Sequence, residues 1–175
     1  IGCLNDHRFC FFLIGSGIGC LNDFFFLIGS GIGCTVKNFE LAGFQASGIE
    51  PGQGFCEFSR QQLQANIDSS SLEQLPGNGD QDLVLLVHVL EHLNDPSRAL
   101  RQLRELISEN GLCYIEVPNF SGPHAAPGKQ FHFAHIYNFT PFTLSMLAES
   151  NGMVIQQLMS SPSDKNLQIL LSRGP

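Results

Sequence analysis

The sequence predicts an α/β fold: an open, mostly parallel sheet between two layers of helices, closed at its C-terminal end by an antiparallel hairpin. Three observations carry this. Strand-like and helix-like stretches alternate from Phe24 onward. Asp82–Val89 (DLVLLVHV) is apolar at consecutive positions, the pattern of a strand covered on both faces in the middle of a parallel sheet. The last two strand-like stretches, Met153–Met159 and Leu167–Ser172, are joined only by Ser160–Lys165, too short for a crossover helix.

Each element has a local reason. Phe24–Ile28 is a short run of β-favouring residues, followed by glycines and a helical stretch, Thr35–Ala42, that Gly43 stops. Phe44–Ile49 reads as the second strand and Glu50-Pro51-Gly52 as its turn. Cys56–Ala65 looks helical, Asn66–Asp68 is a short third strand, and Asn78-Gly79-Asp80 is a turn. After the Asp82–Val89 strand, Asp95-Pro96 gives an N-cap and first-turn signal. Leu100, Leu103, Leu106 and Ile107 then form an apolar stripe, and Asn110-Gly111 is the expected helix end. Leu112–Val117 is a strand that Pro118 stops, and Thr140-Pro141 opens a helix ending near Asn151-Gly152.

At 175 residues, with 43% hydrophobic and 14% charged residues, the chain suits one globular domain. The net charge is −7 and no run of Lys or Arg occurs, which argues against general nucleic-acid binding. The six cysteines, Cys3, Cys10, Cys20, Cys34, Cys56 and Cys113, form no CxxC pair, so neither a zinc ribbon nor a disulfide framework is expected and a reducing cytoplasm is. The apolar runs Phe9–Leu21 and Phe24–Val36 are too short to span a membrane. The N-terminus repeats itself: IGCLNDHRFCFFLIGSG over Ile1–Gly17, IGCLNDFFFLIGSG over Ile18–Gly31, and a third start at Ile32-Gly33-Cys34. Two short, unequal copies do not make a solenoid. Residues 1–23 are therefore expected to be an irregular duplicated segment, and residues 24–175 the domain.

Function is expected at the carboxyl ends of the strands. There Gly29-Ser30-Gly31-Ile32-Gly33 follows a strand and precedes a helix, and glycines let backbone approach a ligand closely. Glu50, at the end of the second strand, can accept hydrogen bonds from both hydroxyls of a ribose. The pair points to a nucleoside site. The GxGxG spacing, with Cys34 where a dinucleotide fingerprint has its last glycine, disfavours an NAD(P)-binding protein.

The segments LIGSGIG, GIEPG, LEQLP and DLVLLVHVLEHLNDPSRALRQLRELISENGLCYIEVPN together resemble a class I S-adenosylmethionine-dependent methyltransferase of the broad small-molecule type. The resemblance runs from about Phe24 to Ser172 and is most specific over Asp82–Asn119. It implies a Rossmann-like three-layer sandwich, S-adenosylmethionine as cofactor and a small-molecule acceptor. It also implies that Gly29, Gly31 and Gly33 face the methionine part of the cofactor and Glu50 its ribose. Leu72 and Glu73 would flank the adenine, and His88 would border the sulfonium. Leu27 and Ser71 stand where the family often has acidic residues, which motivates the alternative of a non-catalytic module of the same fold.

His88-Val89-Leu90-Glu91-His92 matches the H-x-x-E-H spelling of a metallopeptidase, which needs both imidazoles on one helix face. Here the motif starts in a strand, so the two rings are expected to diverge, and the Glu91-His92 pair is expected to fix its loop by hydrogen bonding. No metal is assigned to it; a divalent cation on His88, Glu91 and His92 with a later histidine, such as some O-methyltransferases of the class hold at this place, is left open. His124, His132, His135 and Tyr137 lie in the long Phe120–Phe139 loop, where a connection often covers the acceptor pocket. His132, His135 and Tyr137 are the candidate catalytic residues, because an imidazole near its pKa can take an acceptor's proton.

Overall fold

The computed structural model describes residues 23–122, 132–160 and 164–175. The first copy of the repeat, residues 18–22 of the second and His124 lie outside them. In chain order the elements are β1 (Phe24–Ile28), α1 (Cys34–Leu41), β2 (Gln45–Ile49), α2 (Gln53–Phe58), β3 (Ile67–Asp68), β4 (Gln81–Val87), α3 (Pro96–Leu106), β5 (Ile107–Pro118), α4 (Pro141–Ser150), β6 (Met153–Leu158) and β7 (Asn166–Arg173). The seven strands form one sheet in the order β3-β2-β1-β4-β5-β7-β6. β1 to β5 are parallel; β7 runs antiparallel to β5 and to β6, as the predicted hairpin requires.

The two faces of β4 explain the layers. Val84 and Leu86 join a cluster with Leu100 and Leu103 of α3 and with Leu144 and Ala148 of α4. Leu83 and Leu85 point the other way, into a cluster with Val36 and Phe39 of α1 and Cys56 of α2. Period-two alternation in a strand of uninterrupted apolar residues thus feeds two cores at once.

Local rules fix the element ends. Gly43, at φ +95°, closes α1 in a Schellman motif: its N–H donates to Glu40 O at 3.0 Å, and Phe44 N–H donates to Phe39 O at 3.1 Å. Asp95 caps α3 by accepting a 2.8 Å hydrogen bond from Arg98 N, with Pro96 at the first helical position. Thr140 caps α4 in the same way through Thr143 N.

Three places differ by two residues or more from those read in the sequence. The second helix begins at Gln53 and widens into a π-turn over Ser59–Leu63, which stops at Gln64 in the left-handed region. α3 ends at Leu106 and not at Asn110-Gly111, because fully buried Ile107 pairs with Gln81 and opens β5. The ladder then shifts register, and a Cβ on Gly111 would sit 2.5 Å from Gln81 O, so the glycine serves the irregular stretch and not a helix stop. Finally β4 stops at Val87, since His88 takes φ +55°.

Asp95→Ala removes the one side-chain cap of α3 and leaves its apolar face untouched. It should cost about 0.5–2 kcal/mol, read as a lower urea midpoint at unchanged m-value.

Candidate functional site

The order β3-β2-β1-β4-β5 reverses direction between β1 and β4, which opens a crevice at the carboxyl ends of those strands. The glycine turn lies on one wall. Gly29, Gly31 and Gly33 all have positive φ (68°, 55° and 85°), so all three positions favour glycine. Their surroundings differ. A Cβ on Gly29 would lie 2.5 Å from Val89 Cγ2, and one on Gly33 would collide with Ile67 and Ser59. One on Gly31 would meet nothing within 4 Å. Two of the glycines therefore admit neighbouring side chains, and Gly31 alone faces open space.

Glu50 is bound to that turn. Its Oε2 accepts from Gly31 N at 3.0 Å and its Oε1 from Gly52 N at 2.8 Å. Each carboxylate oxygen retains a second acceptor site, so the side chain is fixed and still able to accept two hydroxyls. Of the pair expected beside it, Leu72 is 3% exposed and belongs to the core, whereas Glu73 is exposed in the short turn Leu72–Gln74.

The other wall is built on the turn after β4. His88, one of two non-glycine residues with positive φ among those described, is held between two carboxylates. Its Nδ1 is 3.3 Å from Glu91 Oε1 and its Nε2 is 3.6 Å from Glu116 Oε1. The hydrogen bond to Glu91 raises its pKa above the ordinary imidazole value; partial burial opposes this, and the charges of Glu91 and Glu116 add to the rise. Glu91 is 1% exposed, and its Oε2 is buried without a partner among the described residues. His92 Nε2 comes within 3.9 Å of the same Glu91 oxygen. The two imidazoles thus meet the same carboxylate oxygen and do not diverge, because the 3-10 turn Leu90–His92 folds His92 back.

Residues 132–137 dock on this turn. Ile136 N and Tyr137 N both donate to Glu91 O (2.9 and 3.2 Å), His92 Nδ1 bonds Ala134 O at 2.8 Å, and Tyr137 OH donates to Asn94 O at 3.2 Å. His135 enters the group: one ligand-type atom each from Glu91, His92 and His135 lie within 4.8 Å of one another. Two carboxylate- and imidazole-bearing residues of the turn and one later histidine are thus brought together, the grouping on which the sequence reading leaves a divalent cation open. Burial is the main reason that the His135 pKa falls below the ordinary value.

Sequence reading missed Glu116. This acid is 7% exposed and accepts from Tyr114 OH, Asn166 Nδ2 and Gln168 Nε2 at 2.7–2.9 Å. The signal was present: a lone acid in the apolar run CYIEVP has to be partnered.

A family model described as "Methyltransferase domain" matches residues 28–158. The chain belongs to the methyltransferase-domain family. This methyltransferase shares its fold with the CcbJ methyltransferase from Streptomyces caelestis (13% identity, 93% of this chain and 88% of that one, TM-score 0.77). It is equally similar to an S-adenosylmethionine-dependent methyltransferase from Clostridium acetobutylicum (10% identity, 96% and 90%, TM-score 0.76). A third match is magnesium protoporphyrin IX methyltransferase from Synechocystis, solved with bound SAM (17% identity, 95% and 77%, TM-score 0.70). No curated protein sequence matches the chain. The class I resemblance and the Rossmann-like sandwich expected from the sequence agree with this family and these folds. Among the described residues no helix is long and apolar enough to cross a membrane.

The contrast within the glycine turn is measurable. Gly33→Ala combines a left-handed backbone with overpacking and should cost about 2–4 kcal/mol in urea unfolding. Gly31→Ala, into open space, should cost only about 1–2 kcal/mol.

Proposed function

We propose that this methyltransferase binds S-adenosylmethionine across the carboxyl ends of β1, β2 and β4 and passes its methyl group to a small-molecule acceptor beside residues 132–137. The observation that carries the reading is Glu50, a carboxylate held by two backbone amides next to the one glycine of the turn that faces open space. The residues fit the cofactor. Glu50 would take the ribose hydroxyls, the backbone of Gly29, Gly31 and Gly33 the methionine part, Leu72 and Glu73 the rim of the adenine, and His88 the sulfonium side.

When bound, the sulfonium supplies an activated methyl group, so the chain's own task is mostly placement and exclusion of water. Glu50 orients the nucleoside. His88, strained and pinned between Glu91 and Glu116, fixes the end of β4 against the reacting centre. Of the three candidates for the acceptor's proton, Tyr137 already spends its hydroxyl proton on Asn94 O. His135 is the better base: its lowered pKa keeps it neutral, hence able to accept a proton, at neutral pH.

S-adenosylhomocysteine should raise the melting temperature and NADH should not, because only a ligand of the native state stabilises it. A shift with NADH alone would sink the reading. Glu50→Ala should weaken S-adenosylhomocysteine binding by about 1.5–3 kcal/mol in calorimetry, the scale of hydrogen bonds to a charged group. Unchanged affinity in a folded variant would place the ribose elsewhere.

A further inference from the structure

We propose that Glu91, His92 and His135 hold a divalent transition-metal ion, which ties residues 132–137 to the turn after β4. The inference goes beyond methyl transfer and does not depend on the proposed place of the cofactor.

The starting point is an orphaned atom. Glu91 is 1% exposed, and its Oε2 is buried with no hydrogen-bond partner among the described residues. A carboxylate oxygen taken out of water costs free energy unless a donor or a cation meets it. His88 does not fill that role: its Nδ1 lies 3.3 Å from Glu91 Oε1, and its Nε2 faces Glu116 Oε1 at 3.6 Å. It steadies one oxygen of Glu91 and leaves the other to a further partner.

Two other imidazoles complete a ligand set around it. One ligand-type atom each from Glu91, His92 and His135 lie within 4.8 Å of one another. Ala134 O, which can only accept, lies 2.8 Å from His92 Nδ1, so the neutral ring carries its proton on Nδ1 and its lone pair on Nε2. Nε2 is also the atom near Glu91, 3.9 Å from its Oε1. A ring proton given to a backbone carbonyl is how metal-binding histidines are commonly fixed. Bonds of about 2.0–2.2 Å to one ion set tetrahedral ligands about 3.3–3.6 Å apart, so the group closes by up to about 1.5 Å. His92 is exposed and His135 half-buried, which leaves both rings free to make that movement.

The donor set selects the class of ion. Two imidazoles and one carboxylate suit Zn2+, Co2+ or Fe2+, whereas Mg2+ and Ca2+ prefer oxygen ligands. Three protein ligands leave at least one position open for water or an oxygen of the acceptor. An ion and a proton compete for the same lone pair of His135. In the loaded protein His135 therefore holds the ion; without the ion it stays free to act as a base. Because His135 belongs to the docked segment and Glu91 and His92 to the turn, the ion also joins the two. It adds to the hydrogen bonds made there by Ile136 N, Tyr137 N and Ala134 O.

Calorimetry and absorption spectroscopy of the full chain with CoCl2 test this, after EDTA treatment and with a phosphine reductant present. We expect one Co2+ bound per chain, not displaced by excess Mg2+ and without a thiolate band in the near ultraviolet. Losing an outer-shell partner costs about 10–100-fold in metal affinity, so losing a ligand in His135→Ala or Glu91→Gln should cost about tenfold or more. The docking bonds come from backbone groups, His92 and Tyr137, so His135→Ala keeps them. Amide hydrogen exchange at Ile136 and Tyr137 gives a second readout. With Co2+ at 100 times its Kd, opening of this segment should become about 100-fold rarer in the unmodified chain and stay unchanged in His135→Ala. Absence of binding overturns the site and leaves water as the partner of Glu91 Oε2. So does a thiolate band, displacement by Mg2+, undiminished affinity in either variant, or protection that does not rise.

Discussion

Four consecutive side chains of β4, Leu83 to Leu86, are at most 1% exposed, and a strand so covered leaves the chain little choice. Burying each is worth about 1.5–3 kcal/mol, but only if apolar cover arrives on both faces and strands on both edges. β1 and β5 fill the edges, α1 and α2 cover one face, and α3 and α4 the other. Because the chain fills the sheet outward in both directions from the β1–β4 pair, its crossovers separate there. The crevice that receives Glu50, Gly31 and His88 is thus a by-product of burying β4.

Periodicity made this scaffold legible, because burial is written into residue type. Phe24–Ile28 and the hairpin strands appear where apolar and β-branched residues run, and Asp95-Pro96 and Gly43 stand at the helix ends they signal. The misreadings share a cause: a local signal was outweighed by a contact distant in sequence. Asn110-Gly111 looks like a helix stop, yet Ile107 had already left the helix to pair with Gln81. DLVLLVHV looks like eight strand residues, yet His88 turns left-handed between two carboxylates, one of them on β5.

The site divides along the same line. Gly29, Gly31, Gly33 and Glu50 come together because they follow the carboxyl ends of two adjacent parallel strands, whose spacing a sequence can supply. It cannot supply what fills the space beside each glycine. Gly33 is a packing position for Ile67 and Ser59, and this depends on α2 widening after Phe58. Likewise His135 meets Glu91 and His92 only through the docking of residues 132–137, more than forty residues along the chain from Glu91. Glu116 escaped notice because its partners Asn166 and Gln168 arrive with the final antiparallel strand.

The acids of the crevice also share an electrostatic character. Glu50 is held by two amides, Glu116 by a phenol and two side-chain amides, and Glu91 by imidazoles. Among the described residues, the ion pair formed by a Lys or Arg side chain is Lys37–Glu40, away from all three. Neutral donors stabilise a carboxylate without cancelling its charge. At the carboxyl end of β2 Glu50 therefore keeps a negative field, whereas at β4 and β5 His88, its pKa raised between Glu91 and Glu116, offsets part of theirs. Under the proposed function that field favours a sulfonium over its neutral product, so the network that holds the strand ends in place also assists release once the methyl group has left.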